Sequence, residues 1–323
     1  MSDNVADILL VGAGPMAIEY ARVLAKMNKS FVVVGRGILS ATAFEKTTGH
    51  KVITGSLESY MEKISSFPDY AIVATGVESL ASNTELLVDK KINKILCEKP
   101  GGLEENQLVS IFDKCIKSKS SVFIAYNRRF YASVTKAKKI IEMDGGVKSF
   151  HFEFTEWSNK IEILHKGPGV KEKWFLSNST HVADLAFYLG GKPKDLNCFT
   201  SGELTWHPSS SVFAGAGITE KGALFSYQAN WDSPGRWSIE ILTKYHRLIF
   251  RPLEELQVQE KESIIIEKIK ISNDLDIMFK PGLYEMIDNF LENRTSQLCT
   301  LKEQIELFPI YNKIANYHNN TNE

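Results

Sequence analysis

The chain has 323 residues, 43% of them hydrophobic and 24% charged. That is ordinary globular composition, which excludes disorder over most of the length and, at roughly 150 residues per domain, implies about two domains. Lys and Arg number 38 against 39 Asp and Glu, a net charge of −1, so no broad basic face for nucleic acid is expected.

The first third alternates short apolar strands with helical patterns. Residues 7–11 read as a buried strand, followed by a glycine turn and a helix over 17–27. Further strands are expected at 31–34, 52–53, 70–74, 95–97 and 122–125, with helices at 84–90 and 104–117 between them. This alternation predicts an α/β fold with an N-terminal doubly wound parallel sheet. The pattern changes near residue 128. Residues 146–157 alternate, with Phe150, Phe152 and Phe154 on one face, as in a half-exposed antiparallel strand. A helix is expected at 178–189. Strands follow at 223–229, 237–242, 247–250 and 263–271, and helices at 284–291 and 302–317. The expected organisation is therefore a doubly wound domain over 1–127 and a C-terminal α+β domain over 128–323. The polar tail, 319–323, is expected to fray.

No run approaches ~18 consecutive apolar residues, so no spanning helix is expected. The polar start, Met1 to Asn4, lacks the basic region of a signal peptide. The four cysteines match no zinc or redox spacing, and the histidines form no metal constellation. A cytoplasmic protein without a metal, nucleic-acid or membrane partner is expected.

Gly12-Ala13-Gly14-Pro15-Met16-Ala17 has the form G-x-G-x-x-A between a strand and a helix. The first glycine permits the tight turn, the second lets a pyrophosphate approach the backbone, and Ala17 lets the helix pack on the sheet. The N–H groups that open the helix then face the phosphates. The second strand ends in Val34-Gly35-Arg36-Gly37 and lacks the acid that reads a ribose 2′-hydroxyl. Arg36 instead suits a 2′-phosphate, so NADP(H) is expected over NAD(H). Glu98-Lys99-Pro100 follows the fifth strand, at the sheet end where ligands bind. Pro100 holds Lys99 extended, and an amine partly desolvated beside a cationic nicotinamide can exchange protons near neutral pH.

With these motifs in order, the chain resembles the glucose–fructose oxidoreductase, inositol dehydrogenase and MocA family. Ala74-Thr75, Tyr126-Asn127-Arg128-Arg129-Phe130 and His181-Val182-Ala183-Asp184 match further family segments. The resemblance implies a dinucleotide-binding Rossmann domain over 1–127 and, over 128–323, a substrate-binding domain with a large open antiparallel sheet, often used to form oligomers, here a homodimer or homotetramer. It also implies redox chemistry on a sugar, polyol or sugar derivative. Lys99 and His181 are the implied catalytic residues. Ala74, Thr75, Gly76, Glu98, Asn127 and Arg128 would contact cofactor alongside the glycine turn and Arg36. Tyr126, Trp157, Ser177 and Asn178 would contact substrate with Lys99 and His181. The chain departs from the family at Ser177, where an aspartate is usual, at Ser179, Gly76 and Leu80. Placed in the first turn of its helix, His181 would be kept neutral by the helix dipole. Weaker candidates are His165, Lys166, Trp174, Trp231 and Arg236, with residues 166–169 as a possible flap. Two other readings stay open: a non-redox enzyme using nicotinamide transiently, and a silent binding or regulatory protein.

Overall fold

The computed structural model describes residues 6–317, so both the polar start at Met1 to Asn4 and the tail at 319–323 lie outside the described residues. Among those described, no helix is long and apolar enough to cross a membrane. The chain forms two compact units. Among the described residues, one comprises residues 6–126 together with Ile277–Glu306, and the other Asn127–Asp276 with residues 307–317. A single division after residue 127 thus misses a return of the chain. The reason is packing that short-range pattern does not show. Cys299–Thr300 pairs antiparallel with Ile124 and Phe123, and Phe290, from the helix Leu283–Leu291, sets its ring edge-on against Tyr70 and Phe123.

The first unit is a parallel sheet with helices. Its strands are β1 (Ile8–Val11), β2 (Phe31–Gly35), β3 (Val52–Thr54), β4 (Tyr70–Val73), β5 (Lys94–Glu98) and β6 (Ser121–Ala125). They lie in the order β6-β5-β4-β1-β2-β3, the short Cys299–Thr300 strand closing the β6 edge. All four residues of β1 are buried, as a strand covered on both faces requires. The helices are α1 (Pro15–Lys26), α2 (Ile38–Thr48), α3 (Leu57–Met61), α4 (Leu80–Asp89) and α5 (Glu105–Ser118). Every strand expected here is present. The helix α2, unforeseen, buries only Ala41 and Phe44, a weak apolar stripe that gives little periodicity to read.

The second unit opens with α6 (Ala132–Met143) and β7 (Ser149–Glu153), then α7 (Ser158–Glu162). A π-helical turn, Phe175–Ser179, runs directly into α8 (Thr180–Gly190). The remaining strands are β8 (Pro193–Ser201), β9 (Val212–Thr219), β10 (Leu224–Asn230), β11 (Ser238–Leu242), β12 (His246–Phe250), β13 (Gln257–Glu260) and β14 (Ile266–Lys268). With β7 they form an eight-stranded sheet in the order β14-β13-β12-β11-β7-β10-β9-β8. The sheet is antiparallel except at its centre, where β7 and β10 run parallel. The expectation for 146–157 holds for the β7–β11 side alone.

The inward face is an aromatic core. Phe150 opposes Phe225 and Phe152 opposes Tyr227 across β7 and β10, with ring centroids 5.3 and 5.4 Å apart. The next partners out, on β9, are Gly217 and Gly215. A Cβ at Gly215 would fall 2.4 Å from the Tyr227 ring and one at Gly217 2.6 Å from that of Phe225. Small residues there make room for the rings, which is why β9, read alone, shows no strand signal. Helix α8 covers this face, with Phe187 edge-on to Phe152 at 5.5 Å.

Candidate functional site

Each unit carries its own cluster of chemistry-bearing residues. In the first, β1 runs into Gly12, whose φ of +116° is open to glycine. A Cβ there would lie 2.4 Å from the carbonyl oxygen of Ala74, so the turn is tight because β4 presses against it. Helix α1 starts at once. Gly14 caps it without a side chain, Pro15 stands at its first position, and no acid occupies its first turn. Space is open around Gly14, with nothing within 4 Å of a Cβ built on it. The first N–H groups of α1, from Met16 and Ala17 on, therefore carry no capping carboxylate that would compete with an incoming anion. Ala17 is fully buried, the close helix–sheet packing the motif requires.

A cavity of about 160 Å³ opens beside this turn. Gly12, Arg36, Ser56, Glu58, Thr75, Ser79, Ser82 and Asn83 are among its lining residues. Ser79 donates to the Thr75 hydroxyl at 3.1 Å and Asn83 to the same oxygen at 3.3 Å, a fixed polar wall behind β4. Ala74 is buried and Gly76 exposed. Arg36 is exposed at the end of β2 and lines the same cavity. Glu58 shares that wall, so the charge there is balanced.

At the end of β5, Glu98 accepts a hydrogen bond from the Tyr20 hydroxyl at 2.7 Å. Burial raises the Glu98 carboxyl above its ordinary range, opposed by the Tyr20 hydrogen bond and by Lys99 and Lys280. Lys99 follows, half-buried, its peptide to Pro100 cis, and Gln304 donates to the Pro100 carbonyl at 3.1 Å. Tyr126 is buried at the end of β6.

In the second unit, the helical turn Asn127–Phe130 buries Asn127 and sends Arg129 into a two-pronged ion pair with Asp184. Its Nε lies 2.9 Å from one carboxylate oxygen, and the second contact is Arg129 Nη2 to Asp184 Oδ1. Both side chains are buried, so Asp184 anchors α8 to this turn. His181 is 8% exposed, one helical turn earlier.

The expected location of His181 in a first turn is corrected. The π-helical turn Phe175–Ser179 precedes α8 without a break, so the positive end of the helix lies several residues upstream. Ser177 and Thr180 do not cap it. Ser177 donates to the carbonyls of Val170, at 2.9 Å, and Lys173, at 3.1 Å, and lies 3.4 Å from that of Trp174. Thr180 donates back to Leu176. The Ser177 hydroxyl thus serves its own segment.

Asn178 faces a residue the sequence reading did not single out. Glu156 is 2% exposed and accepts from Asn178 Nδ2 at 2.8 Å, Ser179 Oγ at 2.8 Å and Arg236 Nη1 at 3.1 Å. Burial raises its carboxyl, and those three donors pull it back down. A signal for it exists in the sequence. Glu156 continues the inward phase of Phe150, Phe152 and Phe154, and an acid in that phase is either paired or functional. Arg236 also lies over the rings of Trp157, at 4.8 Å, and Trp237, at 4.4 Å. The guanidinium of Arg128 lies 4.7 Å from the Trp237 centroid, and the His181 ring 6.2 Å from it. The geometry thus gathers Arg128, Asn178, His181, Trp157 and Arg236 around Trp237 and Glu156.

Trp231 and Trp174 sit elsewhere. Trp231 stacks on Trp206 with planes 4° apart and donates to the Phe154 carbonyl, and Trp174 is edge-on to Trp206. His165 and Lys166 are exposed.

No family model and no curated protein matches this chain. Solved structures do match over nearly its whole length. An oxidoreductase from Agrobacterium radiobacter, in complex with NAD+, L-tartaric acid and magnesium, is 14% identical, with a TM-score of 0.78 and 97% of each chain covered. Levoglucosan dehydrogenase in complex with NADH and levoglucosan is 18% identical, with a TM-score of 0.76 and 97% of each chain covered. The WlbA dehydrogenase from Bordetella pertussis, in complex with NADH and UDP-GlcNAcA, is 16% identical, with a TM-score of 0.73 over 97% of this chain and 96% of that one. The chain has the fold of these oxidoreductases, a Rossmann-like unit joined to a largely antiparallel sheet, in agreement with the resemblance read from its motifs.

Proposed function

We propose that this protein is a nicotinamide-dependent oxidoreductase acting on a hydroxyl- or keto-bearing carbon of a sugar, polyol or sugar derivative, with NADP(H) as its cofactor. The observation that carries the reading is the start of α1. Uncapped, acid-free N–H groups open beside Gly14, next to a polar cavity edged by Arg36. That donor set fits a pyrophosphate and an adenosine end. The solved neighbours support a nicotinamide, since they hold NAD+ or NADH. The preference for NADP(H) rests on Arg36 and on the lack of an acid at the end of β2.

When bound, a nicotinamide would supply the two-electron exchange. The chain's own residues would do the rest. Gly12, Gly14, Pro15, Met16 and Ala17 would hold the phosphates, and Ala74, Thr75 and Gly76 the neighbouring rim. Glu98, held by Tyr20, would steady Lys99 electrostatically. Lys99 would hold and exchange the proton at the reacting oxygen. Asn178, Trp157 and His181 would orient the substrate in the second unit, Asn178 held in place by Glu156. A homo-oligomer formed through the open sheet belongs to the same reading.

The test is titration of the purified protein with NADPH and with NADH, followed by reduced-nicotinamide fluorescence, then a screen of sugar-like substrates. Tighter binding of NADPH is expected. Tighter NADH binding overturns the Arg36 reading, and binding of neither overturns the oxidoreductase reading. The departure at Ser177 favours a second reading, a cofactor- and sugar-binding protein without turnover. Its mark is binding of both ligands with no change in absorbance at any substrate.

A further inference from the structure

Arg128 stands out in the second unit. Its Nε is buried without a hydrogen-bond partner, and among the described residues its guanidinium makes no hydrogen bond or ion pair. Burial pulls its pKa below the usual arginine value. Its neighbours are ring faces, Trp237 at 4.7 Å and Tyr131 at 6.0 Å. Contact with such faces offsets part of the desolvation of a cation but gives the buried Nε–H no acceptor. The nearby acids are committed elsewhere. Glu156 holds Arg236, Asn178 and Ser179, and the exposed Glu254 lies 3.5 Å from the Tyr131 hydroxyl. Arg236, against the same indole, contributes one nitrogen to Glu156 and has donors to spare.

Two guanidiniums on one indole, with one carboxylate between them, leave positive charge and a fork of donors. We infer that Arg128, assisted by Arg236, binds an anionic group of the substrate, a carboxylate or phosphate carried on a sugar-like ring that rests on the exposed face of Trp157. A planar carboxylate or a phosphate satisfies a guanidinium fork with two parallel hydrogen bonds. A neutral sugar supplies hydroxyl acceptors but no countercharge, so it leaves the desolvated cation uncompensated. The inference deepens the reading of the second unit as the substrate-binding unit, and in it Arg128 serves substrate rather than nicotinamide.

The experiment is isothermal titration of the full-length protein, saturated with NADPH, with D-glucuronate, D-glucose 6-phosphate and D-glucose. At least one anionic sugar is expected to bind ten-fold or more tightly than glucose, and which one wins separates carboxylate from phosphate. Arg128→Met, which keeps bulk and removes charge, is expected to abolish that preference. Arg128→Lys, which keeps charge and loses the fork, should weaken it about three- to ten-fold. Arg236→Met should weaken it less than Arg128→Met. Should Arg128→Met fail to fold by circular dichroism, Arg128→Lys decides, and unchanged selectivity in it overturns the inference. So does equal binding of glucose and both anions, binding of none of the three, or full selectivity in folded Arg128→Met. The parallel NADPH titration without sugar keeps the two readings apart. Anion binding without cofactor binding removes the oxidoreductase reading alone, and cofactor binding without anion binding removes this inference alone.

Discussion

The glycine turn of the first unit and the polar cluster of the second were built by opposite routes. The turn is six consecutive residues whose conformation follows from local sterics and from the strand and helix on either side. The cluster draws on Arg128, Glu156, Asn178, Ser179, Arg236 and Trp237, brought together by a helical turn, the exit of β7, a π-helical turn and the entry to β11. A local site tolerates little change at any position and reports it directly. A distributed site has interior partners that decide what each side chain is free to do. Ser177 shows the difference. By position it matches a family aspartate, yet in space its hydroxyl is surrounded by main-chain carbonyls.

The largest expected effect tests whether the two regions serve one reaction. Lys99→Ala should lower kcat by about 10²- to 10⁴-fold, the usual worth of general acid–base help, with NADPH affinity unchanged within about three-fold. Retained turnover in steady-state assays would separate Lys99 from the chemistry.

The second test breaks the analogy between sequence position and role. Ser177→Asp, which installs the aspartate usual in the family the chain resembles, should destabilise the second unit by roughly 3 kcal/mol instead of improving activity, because it sets a carboxylate against carbonyl oxygens. Ser177→Ala should cost about 1 kcal/mol. Urea unfolding at neutral pH measures both, and a stable, faster Ser177→Asp enzyme would show that the segment re-forms around the acid.

The third concerns how the distributed region is held. His207 is fully buried, its Nδ1 2.6 Å from the Ser210 carbonyl and its Nε2 2.7 Å from the Tyr317 hydroxyl, which accepts from the Phe175 N–H at the head of the π turn. Those partners suit a neutral ring protonated on Nδ1. Burial pulls its pKa down to about 4, below the ordinary value near 6.5. The unfolded chain therefore binds the extra proton first as pH falls. Stability from this group should be complete above about pH 6.5 and decline toward pH 4, by about 3 kcal/mol. His207→Gln should remove this part of the pH dependence. Denaturation midpoints at pH 7 and pH 4.5 give the comparison, and identical slopes in both proteins would locate the loss elsewhere.

The last tests fall on the local turn. Gly12→Ala should destabilise the first unit by about 2 kcal/mol, from a positive φ and a contact with Ala74, and weaken both cofactors alike. Arg36→Ala should weaken NADPH about ten-fold and NADH less than three-fold, by fluorescence titration. Equal losses for the two would mean that Arg36 stacks on the base rather than pairing with a phosphate.

The first-unit strands, the turn at Gly12, the position of Lys99 beyond β5 and the broad two-part architecture were legible in the sequence. Each depends on neighbours within a few residues: a short apolar run, a turn that needs glycine, a proline that fixes the residue before it. Only the tertiary structure returned Ile277–Glu306 to the first unit, made β9 a strand by seating aromatic rings over its glycines, and moved the start of the His181 helix upstream. It alone showed Glu156 buried beneath Asn178, Ser179 and Arg236, and Arg128 left against an indole without a partner. Those outcomes depend on contacts between residues far apart in the chain, where burial and pairing, set by what other strands and helices bring, decide the chemistry of a side chain.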